Sequence, residues 1–114
     1  MGGARAVAAS PLAGDILKKV EKVEGVVIGA ICAAPVALAA HGIASGAHLT
    51  SHPCVKEELV KAGYSYSEDR VCVDGRLVTS RGPGTAFEFA LKLVEIVAGK
   101  NIRDQITAPM LLKE

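Results

Sequence analysis

The run VVIGAICAAPVALAAHG, Val26 to Gly42, constrains the chain more than any other stretch. Val26 to Ile31 is a continuous apolar segment rich in β-branched residues, the composition of a strand buried on both faces of a parallel sheet. AAPVALAAHG then reads as a helix, because Pro35 fits a first helical turn and Gly42 supplies a C-terminal stop. Cys32 falls at the joint. A sharp turn there places its thiol beside unpaired backbone N–H groups and the positive end of a helix, which favour the thiolate. The neighbouring N–H of Ala33 would then point toward an oxyanion formed on a group attacked by Cys32. The structural alternative is a small apolar side chain packed in a core.

Strand and helix signals alternate through the rest of the chain. Leu12, Ile16, Val20 and Val23 recur at helical spacing among lysines and glutamates, predicting an amphipathic helix over roughly 10–24 with Gly25 ending it. AHLTSHP reads as a short strand leading into a loop, and PCVKEELVKAG as another helix. RVCVDGRLVTS predicts a hairpin turning on Asp74-Gly75, since both positions tolerate positive φ. RGPGT is a loop. Thr85 and Glu88 match a capping box that opens a helix to about Ala98, with Phe87, Ala90, Leu91 and Val94 on its apolar stripe. The class is α/β. At 114 residues and 50% hydrophobic content, the chain suits one domain over 1–114, with no internal repeat.

Thirteen basic and twelve acidic residues, interspersed, leave a net charge of +1, so the electrostatic footprint of a nucleic-acid or anionic-membrane binder is absent and a small or neutral partner is expected. The apolar runs are too short or too interrupted to span a bilayer, and the N-terminus lacks the apolar core of a secretory signal. Three sparse cysteines argue against a disulfide framework and for a reducing, cytoplasmic setting.

Among the histidines, His52 follows a predicted strand, at the sheet edge where α/β sites gather, and is the candidate base; an ordinary loop histidine is the alternative. His48, His52 and Cys54 match none of the strong zinc spacings, so no metal is expected, and no cofactor. His41 ends a helix, where a partial positive charge suits the dipole. Cys54 and Cys72 occupy no comparable elbow and are read as structural.

GAICAAP at Gly29 to Pro35, SHP at 51 to 53, DGRLVTSRGPGTAFEFAL at 74 to 91 and the ending APMLLKE, in that order, resemble the ThiJ/PfpI family and within it the animal, deglycase-type branch. The resemblance implies a flavodoxin-like α/β sandwich with a mainly parallel sheet. It implies a homodimer, and a cysteine-dependent deglycase or glyoxalase acting on 2-oxoaldehydes or glycation adducts, with roles in oxidative-stress protection and chaperoning. Carried over by position, Cys32 matches the nucleophile and redox-sensitive cysteine, His52 the nearby histidine, and Ala33 an oxyanion-hole donor.

MGGARAVAASPLAGDILK resembles the segment just after the family's Pro-Gly-Gly turn. The expectation is therefore a partial domain with its N-terminal strands missing, together with the family's glutamate and the second oxyanion donor. Val26 to Ile31 would then form a sheet edge, covered by a second copy or a complementing chain. Two rivals stand beside the enzyme. One is a non-catalytic redox sensor or chaperone using oxidation of Cys32. The other, a glutaminase-like hydrolase, is disfavoured because Ala30, Ala34 and Cys54 stand where glycines and a glutamate are needed.

Overall fold

The computed structural model describes residues 2–110. Its centre is β5, Leu77–Ser80, whose four residues are all buried. It pairs in parallel with β1, Ile28–Ile31, and antiparallel with β4, Val71–Asp74. The register runs from Ile28 opposite Leu77 to Ile31 opposite Ser80, so both parallel strands end together at Cys32 and Arg81. A second parallel pair joins β2, His48–Leu49, to β3, Ser65–Tyr66. The result is an α/β architecture with a mostly parallel arrangement of strands.

The helices are α1 Gly2–Ala9, α2 Pro11–Glu21, α3 Pro35–Ala40, α4 Lys56–Lys61, α5 Ala86–Ala98 and α6 Lys100–Thr107. On one side of the sheet, Leu38, Ile43, Leu49, Val55, Leu59 and Leu77 close an aliphatic core. Tyr64 joins it and donates its hydroxyl to the Ile43 carbonyl at 2.6 Å, which makes burial of the phenol tolerable. On the other side α5 lies over β1. A Cβ at Gly29 would stand 3.1 Å from Phe89 and 3.3 Å from Leu93, so only glycine admits the helix this closely.

Several expectations need correction. Strand β1 starts at Ile28 rather than Val26, and only Ala30 of it is fully buried, so it is not covered on both faces; among the described residues it lies at the edge of its three-stranded sheet, where a domain without its leading strands puts it. The hairpin turns on Gly75 and Arg76, because Asp74 already pairs with Leu77; of the two turn residues only Gly75 has positive φ, the pattern of a Gly-X turn. Asp74 instead takes the His48 N–H on its carboxylate at 2.8 Å, tying β2 to the hairpin.

The capping box does not form. Thr85 Oγ1 accepts from the N–H groups of Arg81 and Gly82, while Glu88 turns outward to Arg70 at 2.8 Å. The predicted helix over 10–24 begins as expected, with Ser10 Oγ capping the Ala13 N–H, but ends at Glu21. Its apolar stripe is not core: Leu12 is 69% and Ile16 52% exposed, and only Gly14 is buried, under the His41 ring. On α5, likewise, Phe87 is 58% exposed and the sheet is met by Phe89 and Leu93. Helices α1 and α6 and strand β3 had no expectation. In the closing APMLLKE, Ala108–Met110 forms a short 3-10 turn and the rest lies outside the described residues.

Candidate active site

Strand β1 delivers Cys32 to the end of the sheet at φ 64°, in the left-handed region. A non-glycine residue there costs roughly 1–3 kcal/mol and persists only when its surroundings hold it. Two backbone hydrogen bonds do so: the Cys32 N–H donates to Ser80 O at 3.1 Å, and Cys32 O accepts from the His52 N–H at 2.7 Å. The elbow is thus held from one side by the end of β5 and from the other by the segment after β2. Three turn residues separate β1 from α3, and α3 is six residues long, so the dipole support expected at Cys32 comes from a shorter helix than AAPVALAAHG suggests.

The thiol borders a cleft of about 330 Å³. Gly3, Ala4 and Val7 of α1 form one wall; Ile31, Ala33, Ala34 and Ala37 form the other. Apart from the thiol, every lining side chain is aliphatic or absent. Ala33 is buried beside Cys32, and the turn is closed by hydrogen bonds from Ala34 N to Ile31 O and from Val36 N to Ala33 O. Helix α1 is itself anchored: Arg5 makes paired contacts to the Glu58 carboxylate at 2.8 and 2.9 Å, and His41 Nε2 donates to Val7 O at 2.9 Å.

His52 meets Cys32 through its backbone. Its ring caps the turn at Pro53–Val55, with Nδ1 accepting from the Cys54 N–H at 3.1 Å and the ring edge lying over Gly82. In the neutral ring this puts the proton on Nε2. His52 is outside the set of residues lining the cleft.

A cluster that the sequence pattern does not announce surrounds this segment. The Ser51 carbonyl accepts from Arg81 Nε at 3.0 Å and from the Tyr66 hydroxyl at 3.0 Å, and Ser51 Oγ bonds His52 O at 2.9 Å. Arg81 also pairs with Glu68 at 2.9 Å, and Lys56 reaches the same carboxylate at 2.5 Å. These contacts hold the Glu68 carboxyl below the usual range, the Lys56 hydrogen bond contributing most. The one signal in the sequence that could have found Arg81 is its place inside the family-like motif TSRGPGT.

Cys72, on β4, has its thiol pushed up by burial, reinforced by Asp69 and Asp74. Cys54 is exposed. A smaller cleft of about 170 Å³ opens at the opposite end of β1 and β5, among Glu21, Asp74 and Arg76. Its charged groups serve structure: Glu21 takes the Ala44 N–H, Asp74 the His48 N–H, and Arg76 donates to Val23 O. Among the described residues no group of three or more His, Cys, Asp or Glu side chains is placed to share a metal ion, and no helix is long and apolar enough to cross a membrane.

Residues 1–96 match the DJ-1/PfpI family. The chain belongs to that family. It is similar to protein dj-1beta of Drosophila melanogaster, with 50% identity over 98% of this chain and 59% of the relative. The Danio rerio Parkinson disease protein 7 homolog is 48% identical over 98% of this chain and 59% of its own length. The glutathione-independent glyoxalase DJR-1.2 of Caenorhabditis elegans is 44% identical over 96% and 58%. The crystal structure of Drosophila DJ-1beta superposes with a TM-score of 0.93, covering 100% of this chain and 61% of that one. The chain thus spans about three-fifths of the length of these relatives, and its fold is the flavodoxin-like α/β fold of this family.

Proposed function

We propose that this DJ-1/PfpI chain is a cysteine-dependent glyoxalase or deglycase-type protein that takes small 2-oxoaldehydes, or the early adducts they form, at Cys32. The reading is carried by the elbow: a thiol held at positive φ at the end of a parallel strand, opening on an apolar cleft. It is supported by relatives named as glyoxalases. An uncharged dicarbonyl suits a cleft without ionisable lining apart from the thiol.

The Cys32 thiolate adds to the aldehyde carbon, forming the C–S bond as the carbonyl π pair moves to oxygen. The Ala33 N–H is the donor proposed for that oxyanion. After protonation to the hemithioacetal, the proton on the former aldehyde carbon must pass to the adjacent carbon and the hydroxyl proton to that carbon's oxygen, giving a 2-hydroxy thioester. Water then hydrolyses the thioester, releasing a 2-hydroxy acid and the thiol. His52 is the proposed proton carrier. As placed, the neutral ring offers a hydrogen-bond donor at Nε2 while its Nδ1 lone pair is held by the Cys54 N–H, so it must give up that bond before it can take up and carry a proton. General acid–base assistance supplies on the order of a hundred- to ten-thousand-fold, and slow turnover is the expectation.

The test is steady-state loss of methylglyoxal beside a Cys32→Ser variant. Slow consumption abolished by the substitution is expected. Consumption indistinguishable from that variant would sink the enzyme reading. The held lone pair of His52 favours a second reading, a redox sensor or chaperone, because oxidation of Cys32 needs no base. Mild peroxide followed by mass spectrometry separates the two: a sulfinic Cys32 in a chain without aldehyde turnover selects the sensor. Either activity fits a cytoplasmic protein, working as a homodimer or with a complementing chain.

A further inference from the structure

We infer that Arg81 is a positioning residue for Cys32, stapling together the two segments that hold the elbow in its left-handed conformation. The inference rests on Cys32 being the reactive group, not on which substrate it takes. The geometry is direct. Ser80, whose carbonyl takes the Cys32 N–H, immediately precedes Arg81 in the chain. The Arg81 side chain crosses to the other segment, where Nε donates to Ser51 O at 3.0 Å, one residue before the His52 N–H that holds Cys32 O.

The staple is braced at both ends. At Ser51, the Tyr66 hydroxyl shares the carbonyl, and Ser51 Oγ secures His52 O, so the peptide whose N–H reaches Cys32 is fixed on either side. At the guanidinium, Glu68 takes Nη2 at 2.9 Å and the Glu68 carbonyl takes Nη1 at 3.3 Å. Arg81 lies at 6.0 Å from the Tyr66 ring centroid, and Lys56 at 5.4 Å. Arg81 is suited to this role because its planar fork makes several bonds in fixed directions, which a lysine cannot. Ser51, Thr79 and Ser80 are fully buried, so the staple ties together a rigid wall rather than a mobile loop.

Without the staple, the segment carrying His52 is free to draw back and the peptide at Cys32 can relax toward negative φ, swinging the thiol out of the cleft. The test is iodoacetamide labelling of the full chain across a pH series, read by peptide mass spectrometry with Cys72 of the same molecule as the reference. The expected result for Arg81→Ala is a displaced pH profile for Cys32, with its rate relative to Cys72 changed on the order of tenfold; misplacement by about 1 Å costs up to a hundredfold in catalysed reactions. Tyr66→Phe, which keeps the Nε bond, should give a smaller displacement. Lys56→Gln, which removes the outer ion pair and the ammonium beside the Tyr66 ring but leaves the Arg81 Nε bond to Ser51 in place, should leave Cys32 as in the parent.

A lowered melting temperature with an unchanged Cys32 profile in Arg81→Ala would overturn the inference, since a merely structural arginine predicts that outcome. If Arg81→Ala does not fold, Arg81→Lys decides: a parent-like Cys32 profile overturns the inference and a displaced one supports it. Alkylation is read without any aldehyde turnover, so a chain lacking glyoxalase activity still reports on Arg81.

Discussion

At the residue scale, the site is built from positions where ordinary residues are forbidden or costly. Cys32 accepts a left-handed backbone because the Ser80 carbonyl and the His52 N–H both require it there. Gly29 accepts α5 because it has no side chain. Gly29→Ala would set a methyl 3.1 Å from Phe89 and 3.3 Å from Leu93, closer than ordinary van der Waals contact. Overpacking of this kind costs about 1–3 kcal/mol. Since Gly29 lies three residues before Cys32 on the same strand, chemical denaturation should show that loss, with the slope against denaturant unchanged. A denaturation midpoint equal to the parent would mean that α5 sits more loosely on β1 than the contacts indicate.

Particular residues show how much of this is legible in the sequence. The joint at Cys32 is readable because an apolar β-branched run stops there before AAP; its positive φ is not, since that depends on the Ser80 carbonyl and the His52 N–H. Glu88 reads as a cap, and is not one, because nothing in TAFE reveals that Arg70, 18 positions earlier, competes for its carboxylate. Arg81 does not stand out because its role depends on Ser51 and Tyr66, which lie 30 and 15 positions away. Pairing over such separations leaves no periodicity. The stripe of α2 is amphipathic, as its spacing says, yet exposed, because periodicity tells which side of a helix is apolar but not what lies against it.

At the element scale, α1 is one wall of the cleft. It carries Gly3, Ala4 and Val7, and it is joined to α4 by Arg5 and Glu58 and to α3 by His41. The Arg5 hydrogen bond holds the Glu58 carboxyl below its ordinary value against an opposing burial cost, with the Arg5 charge adding a lesser share. A carboxyl lowered in the folded state contributes stability that is fully present above its unfolded value and is lost as the pH falls through the folded one. Docking of α1 should therefore weaken below the usual carboxylate range, not above it. The pair is exposed, so the effect is small and salt-sensitive. Amide exchange in residues 2–9, compared between neutral buffer and one below the usual carboxylate range, should rise relative to β5 in the acid, and Glu58→Gln should raise it at neutral pH and flatten the difference. Equal exchange in the parent at both pH values would place the anchoring of α1 elsewhere, in the packing of Ala4 and Ala8 on the core and the His41 contact to Val7.

At the scale of the whole molecule, the sheet ends on β1 with no further strand beside it among the described residues. Ile28 N donates to Arg76 O and Cys32 N to Ser80 O, so by the alternation of a parallel ladder the polar groups of Gly29 face outward from the sheet. Exposed apolar side chains stand elsewhere on the surface: Leu12 and Ile16 on α2, and Val97, 75% exposed, on α5. Each fully buried aliphatic side chain of this size is worth about 1.5–3 kcal/mol relative to exposure, so covering even part of that surface is favourable. The net charge of +1 supplies almost no repulsion between copies. Self-association of this chain is the expected outcome, through the edge strand or the exposed apolar groups. Sedimentation over a dilution series should show a mass above 11.8 kDa that falls as concentration drops, and an apolar dye should bind increasingly as the copies separate. Replacing Leu12 and Ile16 together by lysine should lower the associated mass at fixed concentration if α2 takes part, while leaving Cys32 alkylation unchanged. A dilution-resistant monomer that binds no dye would show that β1 and these side chains are satisfied within one copy.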